Sequence, residues 1–481
     1  MKFLPVILSL ALITNASYAN PFDPKPASGQ VEIPNIGSGV GLINRQVDNW
    51  IAEKAYREIH KQLPIVNDLW LQDQIDDLFL RTAQAAKLEN IVGAMLVKDT
   101  QINAFAVQGG IFVLNSGLIE AVRSQDELAS VISHEVAHVT LRHHVRSKEQ
   151  FKGQAMLALA GILIGSAVLS QTKQEDVGQF IIWGTQAATI NNQLKYSREQ
   201  ESEADRIGIN YLASAGYNPR SMASFFEVLL RSQPKTSIFP EFWLTHPLTE
   251  KRVSEAYLRA NQLPEIKPKI IDPDFEILKL YTLVVSNQTT ENQLQTLSNQ
   301  KNTAAQLALS KFYLERGDFI KAQKNLDLVK EKLQYHVLIP IIQTDIYLGQ
   351  NKLDQAYNSI APLQMTMPEN KAFSYKLAEV LLRQGKYAQV QTLVQRFINK
   401  NARDIQGWQL LQQAANLDKN SPLRAVNVLR YRAEAQYWSG SEEDAIKSML
   451  HAQRLAKGNQ AMSARIDSRL KQMQDERRMK I

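Results

Sequence analysis

Cysteine is absent from all 481 residues, which excludes disulfides, thiolate metal ligands and cysteine nucleophiles together. Any metal in this chain must be held by histidine and carboxylate. Histidine is itself scarce, at eight residues. Basic residues outnumber acidic ones 55 to 48, yet no run of Lys or Arg concentrates the excess, so nucleic acid is not expected as a partner. The diffuse positive balance suits an anionic membrane surface, and peripheral membrane contact is a partner reading. Also missing is an unbroken apolar stretch of the about 20 residues that a transmembrane helix needs. Gly153 to Thr172 is uncharged and Ala155 to Leu169 almost wholly apolar, short for a span and suited to a buried or membrane-touching hairpin with Phe180 to Ile190. What is present, 44% hydrophobic against 21% charged residues, excludes a disordered polyampholyte and fills several packed units.

The N-terminus carries the pattern of an export signal. Lys2 precedes an apolar segment from Phe3 to Ile13, and Ser17-Tyr18-Ala19 is a small-x-small cleavage site. Residues 1–19 are read as a signal peptide, and the mature chain is expected to be exported and soluble. Prolines 21, 24, 26 and 34 make residues 20–43 an extended leader. Apolar spacing then predicts two amphipathic helices separated at Pro64. Three β-rich runs follow, Ala94–Lys98, Ile102–Ala106 and Gly110–Asn115, which read as a small antiparallel meander. Gly110–Asn115 is the candidate edge for an added substrate strand, with an interior strand as the alternative. Ser124 with Glu127 is a capping box opening a helix expected to reach about Arg146.

Prolines 264, 268 and 273 mark residues 264–275 as a linker between a first domain, residues 44–263, and a second, residues 276–481. The second is repetitive and all helical. Small or short side chains at Ala322, Ala356 and Val390 recur every 34 residues, the tetratricopeptide period. The next equivalent, Ala445, comes late, so one unit around Trp408 and Leu411 is irregular.

The chemistry sits at His134-Glu135-Val136-Ala137-His138. On a helix, HExxH places both imidazoles on one face, a turn apart, where they can share one Zn²⁺ while Glu135 leans toward an open position. A third ligand is needed. Glu201 and Asp205, i and i+4 on another helical stretch, supply candidates: one to bind metal, the other to hold a ligand histidine in its tautomer. Glu203 points about 200° from Glu201 and reads as a solvated charge. On a continued helix His143 falls on the far side from His134 and His138, so it is set aside.

These residues resemble a family. HExxH with the downstream ExxAD run is similar to the zinc peptidases that include the CAAX-processing and HtpX-type membrane proteases. The resemblance extends to Asn103–Ala106, Gly109–Val113, and His246-Pro247-Leu248 followed by Arg252. It implies a mainly α fold: an α+β gluzincin-type zinc peptidase domain with the small meander, followed by the all-α repeat domain. It also implies one Zn²⁺ bound by His134, His138 and Glu201, with Glu135 as catalytic base. Asp205 is the second catalytic candidate. His246 is read either as a regulatory cap on the zinc or as an exposed bystander. Arg252 is read as a substrate or transition-state contact, or as the partner of Asp205. Together with the signal peptide and repeats, the resemblance implies action on outer-membrane β-barrel precursors, including the lipopolysaccharide-export barrel, alongside the barrel assembly machinery. The rival readings are a repeat-based binding or chaperone scaffold with a latent or inactive peptidase domain, and a membrane-integrated processing protease.

Overall fold

The computed structural model describes residues 42–89, 91–107, 109–143, 197–231, 246–266 and 273–478. The signal peptide, nearly all of the leader, the stretches Ala155–Leu169 and Phe180–Ile190, and the middle of the linker lie outside the described residues. Among those described, no helix is long and apolar enough to cross a membrane.

The first half holds α1 (Leu42–Gln62), α2 (Leu69–Ala85), strands β1 (Gly93–Val97), β2 (Ala104–Val107) and β3 (Ile111–Asn115), then α3 (Ser116–Ala121), α4 (Gln125–Thr140), α5 (Arg198–Ser214), α6 (Arg220–Arg231) and α7 (Glu250–Ala260). The strands alternate strictly, as a two-residue period requires. Ala94, Leu96, Ala104, Ala106, Phe112 and Leu114 pack with α2 and α4. Their neighbours Met95, Val97, Phe105, Val107, Ile111 and Val113 pack with Ala52, Ala55 and Ile59 of α1. The sheet is thus buried on both faces.

The sheet order is β1-β3-β2, which corrects one expectation and decides between two alternatives of another. β3 pairs antiparallel with β2 but parallel with β1, so the sheet is mixed rather than wholly antiparallel. Gly109 and Gly110, at φ 93° and 79°, close a tight β2–β3 turn in a backbone region that favours glycine, and β3 returns between its two predecessors. It is therefore the interior strand, and β2 is an outer one. Asn115 N–H donates to Asn103 O at 3.0 Å. By antiparallel alternation, Ala104 and Ala106 then direct their N–H and C=O groups away from β3.

The expected capping box is half formed. Ser124 Oγ accepts from Glu127 N–H at 3.2 Å, but the Glu127 carboxylate turns to Arg123, accepting from its backbone N–H at 2.7 Å and from its guanidinium. A charged partner is the stronger donor.

The second half is helical: α8 (Pro273–Val285), α9 (Glu291–Asn299), α10 (Thr303–Glu315), α11 (Phe319–Asp327), α12 (Leu338–Gly349), α13 (Leu353–Thr366), α14 (Lys371–Arg383), α15 (Tyr387–Lys400), α16 (Ile405–Leu417), α17 (Arg424–Trp438), α18 (Glu442–Leu455) and α19 (Gln460–Arg478). Ala322, Ala356, Val390 and Ala445 are all fully buried. They lie on the second helices of the pairs α10–α11, α12–α13, α14–α15 and α17–α18, and the additional helix α16 accounts for the longer last step.

The hydrophobic core does not stop at the proline-rich linker. One cluster runs from Val66 in the first half to Ile346 in the second. Tyr281 donates to Asp68 Oδ2 at 2.9 Å, and Lys279 to Val122 O at 2.9 Å. At the other end of the repeats, Arg57 of α1 is buried against α17, α18 and α19. It bonds Glu442 at 2.8 Å, lies 3.6 Å from Glu476, and stacks 4.5 Å above the Tyr437 ring. A Cβ at Gly440 would collide with the Arg57 backbone. Removing one member of a buried ion pair strands the other, so Arg57→Met is expected to cost about 3 kcal/mol. This is the low end of that effect, because the partner carboxylates keep some water. A urea midpoint unchanged from wild type would show that this contact does not join the two halves.

Candidate metal centre

Three local features bring the site together. Ser124 caps α4 and so sets the helical phase that puts His134, Glu135 and His138 on its inner face. Ser197 and Gln200 form a complete capping box, with bonds of 3.2 and 2.9 Å, that starts α5 just before Glu201. Gly208 lets α5 approach α4: a Cβ there would sit 3.1 Å from Ser133 O and 3.2 Å from His134 Cα. On the opposite side Thr249 caps α7, accepting from Arg252 N–H, and the segment just before it delivers His246.

His134, Glu135, His138, Glu201, Asp205, His246 and Arg252 are all buried and converge. His134, His138, Glu201 and His246 each present one donor atom, all within 4.8 Å of one another, and they form the one such group among the described residues. His138 Nε2 lies 3.0 Å from His134 Nε2 and 3.3 Å from Glu201 Oε1. His246 Nδ1 lies 3.0 Å from Glu201 Oε1 and 3.3 Å from His134 Nε2. A tetrahedral zinc site with bonds of about 2.0–2.1 Å has ligand–ligand edges of about 3.3–3.4 Å. Three imidazoles and one carboxylate at these separations fit that ion.

Around the donors the carboxylates are held ionised. Burial pushes Glu201 upward, but the charges of His246 and Arg252 and the hydrogen bonds from His134 and His138 hold it well below the usual range. Burial likewise opposes Asp205, and Arg252 outweighs it. Arg252 Nε and Nη2 donate to the two Asp205 oxygens at 2.7 and 2.8 Å, while Nη1 lies 2.7 Å from Glu201 Oε2 and donates to Pro247 O at 2.9 Å. Arg252 thus pairs with Asp205, one of its two readings. Asp205 Oδ1 is 3.0 Å from His134 Nδ1, behind the donor face. Burial lowers the basicity of His134, yet the bonds to Asp205 and Glu201 raise its pKa to about 10. His138 lies well below 6.5, driven by burial, so it offers the lone pair that a metal ligand requires.

Glu135 stands beside the donor group. Its Oε1 is 3.3 Å from His246 Nε2, and the Ala106 backbone of β2 lies close enough to its carboxylate to favour the charged form. Burial raises its pKa above the usual carboxylate value. His246 therefore touches the donor group through one ring nitrogen and Glu135 through the other.

Two residues set aside in the sequence belong to this cluster. α4 ends at Thr140, and Arg142 turns the chain at φ 52°, so helical-wheel geometry no longer governs His143. Its Nδ1 lies 2.9 Å from His138 Nδ1, and its Nε2 lies 3.2 Å from Glu203 Oε2. No glycine or proline signals that turn.

An HExxH helix joined to a carboxylate from a second helix defines a metallopeptidase. Residues 66–260 match the model of peptidase family M48, and residues 347–414 a tetratricopeptide repeat. The chain is 30% identical over 452 residues to the beta-barrel assembly-enhancing protease of Escherichia coli K12, covering 92% of this chain and 91% of that one. It is 32% identical over 491 residues to the putative beta-barrel assembly-enhancing protease of Vibrio cholerae, covering 99% of each. The mitochondrial metalloendopeptidase OMA1 of Arabidopsis thaliana is 32% identical over 206 residues, 43% of this chain and 39% of that protein. The chain belongs to the family of beta-barrel assembly-enhancing proteases, with an M48 peptidase region and tetratricopeptide repeats. It is a metalloendopeptidase of the periplasm.

Proposed function

We propose that the chain holds one Zn²⁺ through His134, His138 and Glu201, cleaves misassembled outer-membrane β-barrel proteins with Glu135 as base, and assists barrel assembly through its repeats. The observation that carries this reading is the convergence of those three donors beside a buried carboxylate whose pKa is raised. When bound, zinc supplies Lewis acidity, lowering the pKa of a water to about 7 and polarising a peptide carbonyl. Glu135 would take a proton from the attacking water and return it to the leaving amine. Asp205 accepts from His134 Nδ1–H and keeps Nε2 on the donor side. Arg252 holds both acidic residues in place. The outer strand β2, whose Ala106 backbone reaches Glu135, suits an extended substrate added as a further strand.

The named relatives support β-barrel precursors and their assembly machinery as partners. Within that class we propose the lipopolysaccharide-export barrel as one substrate, and peripheral contact with the outer membrane. The proposed division places catalysis in residues 44–263 and partner binding in residues 276–481, joined through residues 264–275. A second reading, a latent peptidase at rest, is favoured by the position of His246 between Glu135 and the donors.

Incubating the purified full-length chain with an unfolded outer-membrane barrel, with and without a zinc chelator, tests the proposal. Cleavage is expected to stop with chelator and return with added zinc. Cleavage that persists in chelator overturns the zinc mechanism.

A further inference from the structure

Behind the donor group, His143 is fully buried against His138, with ring centroids 5.0 Å apart and planes at 72°. The hydrogen inventory of this contact allows one arrangement. His138 faces the donor group with Nε2, and a nitrogen that binds metal carries no hydrogen, so the hydrogen of His138 is on Nδ1. Two Nδ1 atoms 2.9 Å apart share one hydrogen, which makes His143 Nδ1 the acceptor. The hydrogen of His143 is then on Nε2, directed at Glu203 Oε2 3.2 Å away. The Glu203 side chain is 34% exposed.

We propose that His143 and Glu203 are positioning residues for the metal: His143 fixes the tautomer and ring orientation of His138, and Glu203 fixes those of His143. This rests on His138 being a zinc ligand. The arrangement mirrors that of His134, which is backed by Asp205, except that here an imidazole stands between the ligand and the carboxylate. Packing alone does not require it. Position 143 is fully buried, and an apolar side chain there would fill the space without supplying an acceptor.

The test uses the full-length chain and two readouts, zinc affinity by competition with a chromogenic chelator and the visible absorption of the Co²⁺-loaded protein. His143→Leu keeps the bulk and removes the acceptor. It is expected to weaken zinc binding by about 10–100-fold and to shift the Co²⁺ bands. His143→Asn places Oδ1 where Nδ1 stands and is expected to recover affinity to within about threefold of wild type. Glu203→Ala, whose place water can take, is expected to cost less than His143→Leu. Zinc affinity of His143→Leu within twofold of wild type overturns the proposal, as does His143→Asn binding no better than His143→Leu. Should His143→Leu lack the cooperative melt of the metal-free wild type, His143→Ala replaces it with the same two readings. A wild-type chain that binds no zinc overturns the metal reading itself, a result distinct from any difference among the variants.

Discussion

Glu135→Gln is expected to lower kcat/KM for an unfolded barrel substrate by about 10²–10⁴-fold while zinc content stays at one per chain. Glutamine matches glutamate in shape but cannot accept a proton, so the loss isolates proton transfer from binding. Zinc is expected to stay because Glu135 is outside the donor group His134, His138, Glu201 and His246. The comparison variants go the other way: His134→Ala, His138→Ala and Glu201→Ala are each expected to lose zinc, measured by elemental analysis of the purified protein. Each removes a donor from a buried cluster and leaves the remaining charges without their counterweight. A Glu135→Gln enzyme that keeps a tenth of the wild-type rate would sink the assignment of the base. Loss of zinc in the same variant would move Glu135 into the ligand set.

Local spacing made part of this site legible. HExxH works through helical periodicity alone, and so does the i, i+4 relation that puts Glu201 and Asp205 on one face of α5. His246 was reached through the family resemblance, since a loop residue 112 positions from His134 has no periodic relation to it. His143 was misplaced because the wheel assumed a helix that in fact ends at Thr140 and turns at Arg142. Glu203 was read as a solvated charge because the partner that engages it could not be seen. Strand existence was legible from β-rich runs, but strand order was not: the same three runs serve a meander or the observed β1-β3-β2 order equally well. The prolines of residues 264–275 suggest a connection but give no sign that the core crosses it. The sign of that crossing was in α8, where Phe275, Ile277, Leu278, Leu280, Tyr281, Leu283, Val284 and Val285 are all buried. From Leu280 to Val285 every side chain is buried, so this stretch must be covered on every side, as the first half and the first repeats together do.

Replacing His246 by valine is expected to raise basal cleavage, including self-cleavage, by about tenfold. The wild-type imidazole has Nδ1 3.0 Å from Glu201 Oε1 and Nε2 3.3 Å from Glu135 Oε1. It therefore stands at the fourth donor position and beside the proposed base, where a water and a peptide carbonyl have to enter. A peptidase held this way works only in the fraction of molecules whose cap is withdrawn. A preference for the capped state of about 1.4 kcal/mol leaves roughly a tenth of them competent, so removing the cap gains about tenfold. Valine cannot ligate, and zinc affinity is expected to fall modestly, since three protein donors remain. Arg252 donates to Pro247 O at 2.9 Å while also holding Asp205 and Glu201, so the segment that carries His246 is tied to the helix that carries Glu201. Withdrawal of His246 must then either break that bond or turn about it. Steady-state cleavage of an unfolded barrel, read with zinc content, separates the readings. Unchanged activity would make His246 a bystander. Activity lost with zinc retained would make it a contact of substrate or transition state, because the same Nε2 that faces Glu135 would then be donating to a developing charge that valine cannot stabilise.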